Sequence, residues 1–258
     1  MTTKSERHRD RYQAAGVPRD RIAVVGELKF DLPLHEDQVA AAGPARAALM
    51  QACGERPVWM IASSIEGEEA ALLSTIERMK REMDKPPLVI WAPRSPQRFT
   101  AIEKILQQRG FLVGRRTQVF DGFTATNPAP IDVLVGDTIG EMDFYYSMAD
   151  IVFVGATLYP MGGHNPIEPL ALERPVVTGP SIYGVAFPAF EAIDKGALLS
   201  IADEHDLGGA LVKYFSDHKL LAQFQSRARG FNEEHHGASE RTIAVLAPML
   251  GPVPDPRT

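Results

Sequence analysis

Residues 162–169 read Gly-Gly-His-Asn-Pro-Ile-Glu-Pro. Asn165 suits the position just before a helix, Pro166 suits the first helical position, and Glu168 stands three residues after the asparagine. The spacing is related to a capping box, in which side chains satisfy the free amides of a helix start. It also has chemistry to offer. A helix start presents unpaired N–H groups to an anion, and Glu168 can accept hydrogen bonds from the two hydroxyls of a ribose. The two readings can coexist. Capping alone leaves the approach through Gly162 and Gly163, and His164, without a role. His164 invites a metal or general-base role, but a lone histidine is more often structural, here fixing the glycine turn.

Other candidate side chains follow short apolar runs. Ser63 and Ser64 follow VWMIA (58–62), and Arg94 follows LVIWA (88–92). Asp137 and Thr138 follow DVLV (132–135). Gly155 and Thr157 follow IVFV (151–154), and GPSIYG follows PVVT (175–178). Arg94 is the best anion contact, with a solvated loop arginine as the plainer reading. Ser63 and Ser64 bind the same anion or cap the next helix. Asp137 and Thr138 bind or cap likewise. Thr157 offers a hydroxyl to a phosphate. Glu66 and Glu68 favour the positive end of a helix dipole. Lys29 can reach a cleft, although a surface lysine usually does nothing specific.

These residues need a scaffold that gathers them. The runs above, with IAVV (22–25) and LLSI (198–201), are continuously apolar and alternate with amphipathic stretches. In 66–83, Ala70, Leu73, Ile76, Met79 and Met83 recur at roughly helical spacing. In 97–110, Phe99, Ile102, Ile105 and Leu106 do so ahead of Gly110. Such alternation predicts an α/β fold, a parallel sheet with helices on both faces. Ligands bind such a sheet beyond the carboxyl ends of its strands. After residue 203 the pattern turns helical. Residues 1–20 read as a polar connector, 124–131 (TATNPAPI) as a loop, and 251–258 as a loose tail.

Composition narrows the classes. The chain has 258 residues, 45% of them hydrophobic, so it can build a core. A net charge of -6 argues against a general nucleic-acid binder. Cys53 is the single cysteine, which excludes an internal disulfide and a thiolate metal cluster and fits a reducing cytoplasm. No spacing suggests a zinc site. Residues 1–16 are charged and do not read as a secretory signal. No apolar run approaches the roughly 20 residues that span a bilayer.

Six blocks, in order, resemble the C-terminal half of the 3-deoxy-D-manno-octulosonic acid (Kdo) transferases of lipid A assembly. They are GELKFD (26–31), PVWMIASSIEGEE (57–69), APRSPQRF (92–99), VGDTIGEMDFYYSMADIVFVGATL (135–158), GGHNPIEPLAL (162–172) and TGP (178–180). The resemblance implies a GT-B architecture, with this chain as the Rossmann-like donor domain over 21–250. It implies CMP-Kdo as donor, a lipid A precursor as acceptor, no cofactor and no bound metal. It places the catalytic base in an N-terminal acceptor domain, which the chain is expected to lack, so the isolated chain is expected to be poorly active. Ser63, Ser64, Arg94, Asp137, Thr138, Gly155, Thr157, Gly163, His164, Asn165 and Glu168 become donor-site candidates, and Lys29 a cleft contact. The implied location is cytoplasmic, with peripheral contact at the inner membrane left open.

Two departures stand at strand ends: Ile65 and Ser95 replace histidines of the family blocks. Residues 155–158 read GATL where GGSL is usual. These changes keep two alternatives open. One is a non-catalytic nucleotide-sugar module or partner subunit. The other is a different GT-B enzyme, or a hexosamine-type epimerase, that uses a UDP-sugar.

Overall fold

The computed structural model describes residues 1–250, so the tail 251–258 lies outside the described residues. Along the chain the elements are β1 (Thr2–Thr3), α1 (Glu6–Ala14), β2 (Ala23–Val24), α2 (Glu36–Cys53), β3 (Val58–Ser64), α3 (Glu69–Glu82), β4 (Leu88–Pro93), α4 (Phe99–Gln108), β5 (Val113–Arg115) and α5 (Arg116–Val119). Then come β6 (Phe120–Asp121), β7 (Thr124–Ala125), β8 (Val133–Val135), α6 (Met142–Met148), β9 (Ile151–Val154), α7 (Ile167–Ala171), β10 (Val176–Thr178), α8 (Ala186–Asp194), β11 (Leu198–Ser200), α9 (Glu204–Ser216), α10 (His218–His235) and α11 (Ala238–Leu250). The chain divides into two compact units, Met1–Pro33 with Asn232–Thr258, and Leu34–Phe231. This division differs from a 1–20 connector followed by a domain over 21–250. The start of the connector pairs with the IAVV run, β1 hydrogen-bonding in parallel with β2.

The larger unit holds a seven-stranded sheet in the order β11-β10-β9-β3-β4-β8-β5, every pair parallel. Side chains alternate between the faces of a strand. Trp59, Ile61, Val89, Trp91, Val135 and Phe153 share one core cluster with Leu72, Ile76 and Met79 of α3, Ile102 and Leu106 of α4, and Leu207 and Leu211 of α9. The intervening residues Met60, Ile90, Leu134 and Val152 are equally buried, so both faces are covered. This explains why the strands read as unbroken apolar runs.

Four details depart from the sequence reading. The IAVV run joins the small β1–β2 pair rather than the large sheet. The edge strand β5 was not anticipated, because Val-Gly-Arg has one apolar residue. Thr124 and Ala125, read as loop, form a short antiparallel pairing with Phe120 and Asp121. On α3 the core stripe runs through Ala71, Leu72, Leu73 and Ile76, and Ala70 is exposed.

In the smaller unit the GELKFD block is a clasp. The Asp31 carboxylate accepts from the Gly237 and Ser239 amides at 2.7 and 2.6 Å, at the start of α11. Burial pushes its carboxyl up, yet the hydrogen bonds from Ser239 and Gly237 outweigh that and hold it below the usual value. Phe30 stacks on His235 at 4.8 Å. Arg241 Nε donates to the Val25 carbonyl at 2.9 Å.

Candidate functional site

Because the seven strands are parallel, their carboxyl ends lie along one rim. The register sets Ser64 beside Pro93, Ala62 beside Val154, and Trp91 beside Val135. The ends of β3, β4, β8 and β9 therefore adjoin. The Arg94 amide donates to the Ser64 carbonyl at 3.0 Å and the Gly155 amide to the Ala62 carbonyl at 2.8 Å.

Glu68 ties this rim together, a role unlike the helix-dipole one read from sequence. None of its surface is exposed. Its Oε2 accepts from the Ile65 amide at 3.0 Å and the Ala156 amide at 2.9 Å. Its Oε1 accepts from the amides of Thr157 and Leu158 at 3.1 and 3.2 Å. Four amides from two loops thus satisfy one buried carboxylate, which would otherwise be costly to bury. Three of its partners lie 88 to 90 residues away, so nothing local to Glu68 announces the arrangement.

The glycines permit close crossings. A side chain on Gly155 would put its Cβ 2.5 Å from the Ser63 carbonyl oxygen and 2.6 Å from the Ser64 Cα. On Gly163, with φ +83°, it would stand 3.0 Å from the Ser181 carbonyl and from Thr157 Cγ2. Thr157 is fully buried and its hydroxyl is committed to the fold. It donates to the Val154 carbonyl at 2.7 Å and accepts from the Gly179 amide at 2.8 Å. It ties the β9 loop to the end of β10, which corrects its reading as a phosphate hydroxyl.

Ser63 is half-buried with φ +54°, at the register shift of β3. Ser64 is buried, and its hydroxyl accepts from Trp91 Nε1 at 2.8 Å. Neither serine caps α3, whose N-cap position is held by Glu68 without a side-chain bond to the helix amides. Asp137 accepts from the Thr117 amide at 3.0 Å and the Thr117 hydroxyl at 2.6 Å, stapling the β8 end to α5. Thr138 meets Glu141 at 2.5 Å and the Tyr145 hydroxyl at 2.6 Å. Burial pushes the Tyr145 hydroxyl well above its ordinary value. Arg116 pairs with Glu141 at 2.7 Å beneath three phenylalanine rings. The β8–β5 end of the rim is therefore closed by its own side chains, and Asp137 and Thr138 act within it.

The β3–β4–β9 part stays open. Arg98 pairs with Glu66 and Glu69, and Arg115 with Glu103. Arg94 is exposed, and its guanidinium has no ion-pair partner among the described residues. Its charge is felt at His164. Burial, then Arg94, pushes that imidazole below its ordinary 6.5, against a smaller pull from Glu68. His164 Nε2 is buried with no hydrogen-bond partner among the described residues. The backbone amide of His164, rather than its side chain, donates to the Gly155 carbonyl at 3.2 Å.

Asn165 Oδ1 accepts from the Ile167 amide at 3.1 Å, so it caps as expected, with the helix assigned one residue later. Glu168 is exposed, and the buried Tyr146 hydroxyl bonds to it. Ile65 is half-buried, and Ser95 bonds to Gln97. Lys29 lies exposed in the smaller unit.

The parallel sheet with its open rim has the architecture of the C-terminal domain of GT-B glycosyltransferases. No family model matches the chain. The structure of WaaG, a glycosyltransferase involved in lipopolysaccharide biosynthesis, superposes with a TM-score of 0.52 over 97% of this chain and 62% of its own. At 13% identity that is a likeness of fold alone.

Sequence narrows the class. A 3-deoxy-D-manno-octulosonic acid transferase of Bordetella pertussis is 36% identical over 88% of this chain and 52% of its own length. The C-terminal CMP-Kdo binding domain of WaaA from Acinetobacter baumannii matches with a TM-score of 0.67 and 26% identity, over 76% of this chain and 98% of that domain. The chain is a homologue of the Kdo transferases and corresponds to the C-terminal half of that family. It spans about half the length of the curated relatives it matches.

Proposed function

We propose that the open rim binds CMP-Kdo and that the chain is the donor side of a transferase delivering Kdo to a lipid A precursor in lipopolysaccharide assembly. The observation that carries this reading is Arg94, an exposed guanidinium at the parallel-sheet rim with no ion-pair partner among the described residues. CMP-Kdo carries a phosphodiester and a carboxylate close together, and a fixed guanidinium suits both. In the proposed reaction an acceptor hydroxyl attacks the anomeric carbon with inversion, and CMP leaves with its charge facing Arg94. The base comes from the acceptor side, as the family likeness implies. Side chains and amides meet the phosphate, without metal or cofactor, so chelation by EDTA leaves donor binding unchanged. The same reading puts the work in the cytoplasm, at the inner membrane surface where the lipid acceptor lies.

Calorimetric titration with CMP, CMP-Kdo and UDP tests it. Binding of both cytidine ligands, with UDP weaker, is expected. No preference for cytidine overturns the reading in favour of a UDP-sugar enzyme.

Ile65 and Ser95 favour a second reading, a nucleotide-sugar module without catalysis, because two protonatable side chains of the family blocks are replaced there. Kdo transfer when an acceptor-side domain is supplied in trans would exclude it.

A further inference from the structure

Two non-glycine residues at the rim adopt the left-handed backbone region, Ser63 at φ +54° and Ala156 at φ +60°. Such conformations cost on the order of 1 kcal/mol or more each and persist only where the surroundings impose them. Between these residues lies the buried Glu68 carboxylate, bonded to the amide of Ala156 and to that of Ile65, two residues past Ser63. The successive amides of Ala156, Thr157 and Leu158 converge on its two oxygens. Successive amides turned to one point make an anion-binding concavity, the usual place for a phosphate. Here the chain's own carboxylate fills it.

We infer that Glu68 is a positioning residue for the donor. It occupies the amide nest of residues 156–158, holds the β3 and β9 loops in their strained form, and leaves the donor's anion to Arg94 and the turn at 162–165. The inference rests on the donor-site reading above. A hydroxyl-bearing or neutral group could not replace the carboxylate, because all four partners are donors. Glutamine would turn an NH2 towards amides that need an acceptor.

CMP titration and hydrogen exchange at amides 156–158, on the same samples and well below the melting temperature, test this. Glu68→Gln should weaken CMP binding by about tenfold or more, the equivalent of one lost charged hydrogen bond, and should speed exchange at 156–158. Glu68→Asp keeps the charge but is one methylene short, and should fall between. Met79→Ala, a core change on the same helix, should lower the melting temperature and keep wild-type affinity. Formate should raise the melting temperature of Glu68→Ala more than that of Met79→Ala.

Wild-type affinity or unchanged exchange in Glu68→Gln overturns the inference, as does an equal loss of affinity in Met79→Ala. If Glu68→Gln does not fold, Glu68→Asp decides, and wild-type affinity and protection there overturn it. If the wild-type chain does not bind CMP, the donor reading fails by itself. Exchange at 156–158 then decides for Glu68 alone, and unchanged protection in its variants overturns the nest.

Discussion

Arg94 and Arg98 sit four residues apart in one loop, and their charges face different things. Arg98 is spent on Glu66 and Glu69, while Arg94 has no such partner among the described residues. Truncating Arg94 should therefore act on binding alone. Arg94→Ala should weaken CMP about tenfold to a hundredfold by calorimetry, as losing a charge-assisted contact does, with no drop in melting temperature. A comparable drop in melting temperature would show that Arg94 supports the fold instead. His164 gives a pH test. Its imidazole is held below 6.5 in the folded chain, chiefly by burial. Below about pH 6.5 the unfolded chain therefore binds the extra proton first. Its contribution is complete above that value and is lost as pH falls through the lowered folded one. His164→Gln should flatten the acid side of the melting temperature against pH. An unchanged slope would remove His164 from the titrating groups.

At the scale of elements, the rim is a set of crossings that tolerate no extra atom. Gly155 passes over backbone atoms of β3 that cannot swing aside as a side chain could. Gly155→Ala should cost about 3 kcal/mol, the upper range for overpacking, seen as a lower urea midpoint with an unchanged slope. A midpoint within experimental error of wild type would mean that the β9 loop can move away. Thr157 illustrates the same economy of space. Its buried hydroxyl reads from sequence like a ligand group, and the fold uses both its donor and its acceptor capacity.

At the scale of the molecule, the two tryptophans report on the sheet. Trp59 and Trp91, the chain's two tryptophans, are fully buried on adjacent strands of its centre. Native emission should be blue-shifted and should move to the red in one step with the loss of far-ultraviolet circular dichroism in urea. Separated transitions would show that the sheet and the helices unfold independently. No helix among the described residues is long and apolar enough to cross a membrane.

Local pattern was enough for the parallel sheet, because strands covered on both faces must be continuously apolar, and 58–62, 88–92 and 151–154 are. It was also enough for the Asn165 cap and for Arg94 as a cation at a strand end. Local pattern could not reveal α2, whose buried stripe of Gln38, Ala42, Ala45 and Leu49 is barely apolar and is interrupted by Pro44. Nor could it separate Arg94 from its paired neighbours, or see that Ser64, Asp137 and Thr157 are bonded within the fold. Those distinctions depend on partners up to 32 residues away. The tertiary structure alone turned Glu68 from a charge at a helix start into the buried anion on which two loops close. A carboxylate's role is set by the donors that surround it, and only folding brings those amides together.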